Sequence, residues 1–226
     1  MSLSYKRKQA YLITGAIILI SFFVALALAY GEPNLAELNK RLGSNLYNFL
    51  GAGFIPLFTV ITYIGSAYIS YPITVVLIVY LLVRKNYWIA ALLAYNLIGV
   101  RLINRLLKSI FEVARPELEP LVHASYYSFP SGHSMNSIAF FGLLAFLFSR
   151  YISRSRAQSV RIWRTVAILI FLIGLSRVYL GVHFPLDVLG GFAAGGAWLL
   201  LSIYIHSFLP IREQSTHKKR HMGEES

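Results

Sequence analysis

At 226 residues the chain is too short for two large domains, and with 57% hydrophobic but only 13% charged residues it is too apolar for an ordinary soluble one. A formal net charge of +12 would suggest nucleic acid in a soluble protein, yet the basic residues sit between and beyond apolar runs. That placement argues against nucleic acid and reads as topology signals and anionic-lipid contacts. The absence of cysteine excludes disulfides and thiolate metal sites.

The pattern predicts one membrane-embedded, all-α domain over residues 1–226, a polytopic bundle of six transmembrane helices with a short interfacial helix before the second. Lys6, Arg7 and Lys8 precede residues 11–30, an uncharged run long enough to cross a hydrocarbon layer of about 30 Å. This run is taken as the first span; the rival is a cleaved leader, with Ala25-Leu26-Ala27 or Ala27-Leu28-Ala29 as the cleavage site. A short polar loop with Glu32, Glu37, Lys40 and Arg41 follows. Residues 42–83 then carry no charge, about twice the length of one crossing. Glycine and proline at Gly51, Gly53, Pro56 and Gly65 divide this run. Two crossings are one reading; the favoured one is an interfacial helix followed by a single span over 66–83, with Pro72 placed to kink it.

Arg84 and Lys85 end that span, and residues 87–107 supply the third. At its far end Arg101, Arg105, Lys108 and Glu112 recur at spacings of four, three and four, which stacks them on one helix face running toward Ala114. A cation facing lipid at mid-membrane costs about 2.5–3.5 kcal/mol, so this stripe must face a polar cavity or an anion. Arg115 precedes Pro116 and marks the helix end. The fourth span covers 134–148, a basic loop 150–164, the fifth span 165–175 and onward, and the sixth 185–208, opened by Pro185. The small-residue face of Gly190, Gly191, Gly195 and Gly196, with its Gly-x3-Gly spacing, predicts close packing against neighbouring helices, with a dimer seam as the rival reading. The tail, 210–226, reads as a disordered cytoplasmic segment. With six crossings both termini share a side, and 14 of the 21 basic residues fall on it, which puts the termini in the cytoplasm of a cell-membrane protein.

Three polar clusters then share the extracytoplasmic face: Lys108 with Arg115-Pro116; Pro130-Ser131-Gly132-His133; and Ser176-Arg177, His183 and Asp187. Lys108, Arg115 and Arg177 can neutralise a phosphate dianion. The start of the fourth span adds the backbone N–H groups of Ser131, Gly132 and His133 and the Ser131 hydroxyl. Gly132 lets the backbone approach closely. His183 and Asp187, four residues apart, allow a carboxylate to hold one ring nitrogen and leave the other to attack. No carboxylate cluster is present to hold a metal, so neither metal nor cofactor is expected. His123 and His206 read instead as interfacial polar residues.

Lys-x6-Arg-Pro, Pro-Ser-Gly-His and Ser-Arg-x5-His-x3-Asp, all without a substitution, resemble the signature of the phosphatidic acid phosphatase type 2 superfamily, over about residues 60–205. Within it the chain looks most like the bacterial B-type phosphatidylglycerophosphatases. The resemblance implies His183 as nucleophile and His133 as the acid that protonates the departing lipid alcohol and later the base for water. It also implies that Lys108, Arg115, Ser131, Gly132, His133 and Arg177 bind the phosphate. The implied partner is a phospholipid or prenyl-phosphate substrate in the membrane: phosphatidylglycerol phosphate first, undecaprenyl diphosphate as the alternative. A non-enzymatic lipid transporter is the rival from another class, but it has no need of a His-x3-Asp pair. Arg101 and Arg105 lie outside the signature; they either pair with buried polar groups such as Asn96 or contact the substrate head group. The oligomeric state is left open.

Overall fold

The computed structural model describes residues 3–115 and 127–210, so His123 and the tail beyond residue 210 lie outside the described part. Among the described residues the secondary structure is helical throughout: α1 (Leu3–Ala29), α2 (Pro33–Leu50), a 3-10 turn (Ala52–Phe54), α3 (Ile55–Ile64), α4 (Ala67–Val83), α5 (Tyr87–Phe111), α6 (Gly132–Tyr151), α7 (Arg156–Tyr179) and α8 (Pro185–His206). Six stretches are long and apolar enough to span a bilayer, the second being Ala52–Val83. Apolar side chains such as Ile17, Ile18, Val76 and Leu102 stand exposed along these helices, as lipid-facing surface requires. The expected all-α, six-span architecture is therefore the one observed.

Local boundaries differ from the sequence reading in four places. Residues 32–41 are not a loop: they open α2, whose Leu35, Leu38, Leu42, Leu46 and Leu50 recur every three or four residues. Leu46 and Leu50 pack on Phe58, Tyr179 and Leu180, while Leu38, Leu42 and Phe49 stay exposed, so α2 is the interfacial helix and is longer than foreseen. The second span is broken at Gly65-Ser66 into α3 and α4, and α4 runs on through Pro72. The basic loop shrinks to a few residues because α7 starts at Arg156, capped by Ser155, whose hydroxyl accepts from the Gln158 N–H at 3.2 Å. Finally, α5 stops at Phe111, where Glu112 takes a left-handed conformation with φ 48°, and so Glu112 leaves the charged stripe.

The core lies between α6 and α8, with α1 and α5 closing the outer sides. The glycine face of α8 makes this approach possible. A Cβ on Gly191 would sit 2.6 Å from the Ser131 carbonyl oxygen, and one on Gly195 would sit 2.6 Å from that of Met135. These contacts are helix–helix packing inside the bundle. Because α5 and α7 finish where α6 and α8 begin, all three polar clusters come to one end of the molecule.

Candidate active site

The local chemistry of the α8 start determines the geometry of the site. Pro185 occupies the first helical turn and Phe184 is the N-cap, so Asp187 falls at the third helical position. From there its Oδ2 reaches back to accept the Phe184 N–H at 2.8 Å, as the acidic member of a capping box does. His183 stands one residue before the cap, in the turn that leaves α7, with its N–H bonded to the Arg177 carbonyl at 3.2 Å. The His-x3-Asp spacing thus places Nδ1 of His183 3.2 Å from Oδ2 of Asp187.

Asp187 is fully buried and surrounded by donors. Oδ1 accepts from the Tyr30 hydroxyl at 2.6 Å, and Oδ2 accepts a short bond from the Ser128 hydroxyl in addition to the Phe184 N–H and His183. The Ser128 Oγ also lies 3.2 Å from Nδ1 of His183. Since the Ser128 proton is committed to Asp187, both oxygens facing Nδ1 are acceptors, and the network assigns the proton of a neutral ring to Nδ1. Nε2 then carries the lone pair and lies 3.4 Å from a terminal nitrogen of Arg115. His183 is 3% exposed, and its burial pushes the imidazole well below its ordinary pKa despite the opposing pull of Asp187. Burial and the neighbouring Asp187 push the Tyr30 phenol up, so it remains a donor.

Arg115, Lys108 and Arg177 belong to the same end of the bundle. Arg115 follows α5 and is braced by the Val182 carbonyl at 2.5 Å. Lys108, in the last turn of α5, donates to the Tyr127 carbonyl. Arg177, in the last turn of α7, is 3% exposed and donates to Thr62 of α3 at 2.6 Å. Its buried Nε–H meets no acceptor among the described residues, the state of a guanidinium built to take an anion.

At the head of α6, Ser131 is the N-cap, accepting from the Ser134 N–H at 3.4 Å and from the Ser134 hydroxyl at 3.1 Å. One expectation needs correction here: the Ser131 N–H is not free for a ligand, because it donates to the Asp187 carbonyl at 2.9 Å. That bond ties the second cluster to the third. The N–H groups of Gly132 and His133, at the first two helical positions, have no intrahelical acceptor. A Cβ on Gly132 would sit 2.9 Å from the Asn104 Oδ1, so the glycine lets α5 and α6 close up. His133 follows Gly132 in the first turn of α6 and is half-buried. Arg101 and Arg105 are exposed on α5. Arg101 does not pair with Asn96, whose amide is spent elsewhere: Nδ2 donates to the Ala139 carbonyl at 2.9 Å and Oδ1 accepts from Ser202 at 3.1 Å.

Sequence reasoning missed Tyr30, Ser128, Thr62 and Asn39. Asn39 is buried in α2 and accepts the Leu186 N–H at 3.1 Å. Ser128 could have been suspected from its place two residues before Pro130; Tyr30, the end of the first apolar run, carries no local signal. Its position comes from packing, since Phe129 is completely buried and stacks on Phe23 at 5.4 Å and against Tyr30 at 5.0 Å.

A six-span helical bundle whose buried histidine–aspartate pair is ringed by guanidinium and ammonium groups defines a class of membrane phosphatases, and comparisons with known proteins identify which. The family model described as the PAP2 superfamily matches residues 88–210. The chain is 31% identical to phosphatidylglycerophosphatase B of Bacillus subtilis over 84% of this chain and 92% of that protein. It is 28% identical to an undecaprenyl-diphosphatase of Sulfolobus acidocaldarius over 92% of this chain and 96% of that one. The crystal structure of a transmembrane PAP2-type phosphatidylglycerolphosphate phosphatase from Bacillus subtilis superposes with a TM-score of 0.81 at 29% identity, covering 87% of this chain and 98% of that one. The chain belongs to the PAP2 superfamily, as a multi-pass membrane phosphatase.

Proposed function

We propose that this protein is a metal-independent lipid phosphatase that hydrolyses phosphatidylglycerol phosphate to phosphatidylglycerol and inorganic phosphate on the extracytoplasmic face of the cell membrane. Nε2 of His183 attacks phosphorus while the bond from phosphorus to the lipid oxygen breaks, and His133 gives that oxygen its proton. The phosphoryl group then rests on Nε2. A water molecule whose proton passes to His133 attacks phosphorus, the phosphorus–nitrogen bond breaks, and phosphate leaves. Asp187 holds Nδ1–H throughout and steadies the positive ring of the intermediate. Lys108, Arg115, Arg177, the Ser131 hydroxyl and the N–H groups of Gly132 and His133 hold the equatorial oxygens.

The observation that carries this reading is the neutral His183 ring with Nδ1 held by Asp187 and Nε2 turned toward Arg115. Similarity to the Bacillus protein over 84% of the chain supports the choice of phosphatidylglycerol phosphate. Similarity to the Sulfolobus protein over 92% of the chain keeps undecaprenyl diphosphate as the second reading. The excess of basic residues on the side of the termini supports the sidedness.

The test is phosphate release by purified protein from both lipids, with and without a chelator. The reading expects a larger kcat/KM on phosphatidylglycerol phosphate, no effect of the chelator, and loss of activity in His183→Ala. A larger value on undecaprenyl diphosphate selects the second reading. Release from neither lipid, with tight binding of both, selects a transporter.

A further inference from the structure

We propose that Arg101 and Arg105 form a subsite for a second phosphorus-bearing anion carried by the departing half of the lipid, so that the enzyme favours such lipids over those whose departing half is neutral. This rests on the phosphatase reading above and deepens it by naming the substrate class.

Arg101, Asn104, Arg105 and Lys108 recur every three or four residues on α5 and so share one face. That face is oriented at two points. Lys108 donates to the carbonyl of Tyr127, immediately before Ser128. Asn104 donates to the Pro130 carbonyl at 3.3 Å and lies against Gly132. The stripe therefore looks toward the first turn of α6, which carries His133. Arg101 is one turn from Asn104, away from Lys108.

The direction of the stripe matters. Helix rise puts the Arg101 backbone about 10 Å and that of Arg105 about 4.5 Å from Lys108 along the helix axis, toward the membrane interior. The transferred phosphoryl group belongs at the Lys108 end, beside His183. The lipid alcohol must leave in the opposite sense, since its acyl or prenyl chains stay in the bilayer. An anion attached to that alcohol consequently falls beside Arg101 and Arg105.

Both arginines are exposed, and neither meets a carboxylate among the described residues. The Arg101 guanidinium packs 4.7 Å from the ring centroid of Tyr71 on α4, which holds the fork in place and leaves its edge donors available. Phosphodiester and phosphate oxygens fit that edge.

The experiment compares kcat/KM on phosphatidylglycerol phosphate with kcat/KM on phosphatidic acid, whose leaving group is neutral diacylglycerol, in micelles of uncharged detergent. The ratio of the two is measured for the unaltered protein, Arg101→Gln, Arg105→Gln and Arg101→Lys. The ratio is expected to fall by about tenfold to a hundredfold in Arg101→Gln, the size of a lost charged hydrogen bond, and by less in Arg105→Gln and Arg101→Lys. Partial misfolding lowers both activities together and leaves the ratio intact. A ratio unchanged in all three variants overturns the proposal. So does a ratio near one in the unaltered protein. Bulk anionic lipid is the competing occupant: if adding phosphatidylglycerol raises both activities equally, and only when Arg101 is present, the subsite serves bulk lipid and the proposal fails. Absence of phosphate release from either substrate by the unaltered protein would instead sink the phosphatase reading itself.

Discussion

Two histidines bracket helix α8, and their surroundings have little in common. His183, just ahead of the helix, is 3% exposed, with Nδ1 3.2 Å from a carboxylate that three further donors hold in place. His206, the last helical residue at the opposite end of the bundle, is half-buried, with Nε2 2.7 Å from the Tyr151 hydroxyl and its ring edge-on to Phe146. No carboxylate approaches it among the described residues. The same side chain is an aromatic anchor at one end and a buried ring oriented by a carboxylate at the other. What distinguishes them is the set of groups folded around each ring, contributed at the His183 end by the turn after α1, the segment before α6, and the start of α8.

Substitutions can sharpen that contrast. The largest expected effect is on His183→Ala, which should reduce phosphate release at least about 10^4-fold, as removal of a nucleophile does. Next is Asp187→Asn, which keeps the shape but releases the tautomer; kcat should fall about 10^3-fold or more with KM little changed. Equal losses in kcat and in substrate affinity would argue that Asp187 merely supports the fold. Tyr30→Phe removes one of the donors to Asp187 and should lower kcat by about tenfold, the size of a hydrogen bond to a charged group. His206→Ala should stay within about twofold of the unaltered protein. If it loses as much as His183→Ala, the contrast between the two ends collapses.

The smallest response should come from titrating His183. Burial disfavours the charged ring, so its folded pKa lies below the free value and the neutral form persists as pH falls. Nitrogen-15 NMR of labelled histidine should therefore find His183 neutral, with the proton on Nδ1, as pH is lowered through about 6.5, where a free imidazole would charge. Protonation of His183 at its ordinary value would contradict the buried geometry.

Much of this was legible in the sequence because the informative patterns are local. Apolar runs define spans, and His183 and Asp187 are close in the chain and meet across the start of one helix. The first part of α2 was read as a loop although its leucines recur at helical spacing, because its charges and Gly43 obscured the period. The partners of Asp187 and Arg177 were not. Tyr30 is 157 residues from Asp187, and Thr62 is 115 from Arg177. Such pairs form only once helices pack, and a hydroxyl at the end of an apolar run has no pattern that marks it. Ser131 shows the reverse: its N–H looked available at a helix start, and only the packed α8 reveals that the Asp187 carbonyl takes it.

The most direct measurement is to stop the reaction with phosphatidylglycerol phosphate in strong alkali during turnover and map any phosphorylated peptide by mass spectrometry. The account predicts phosphorus bonded to Nε2 of His183 and to no other residue. Phosphate on a different side chain, or full phosphate release by a protein lacking His183, would contradict it.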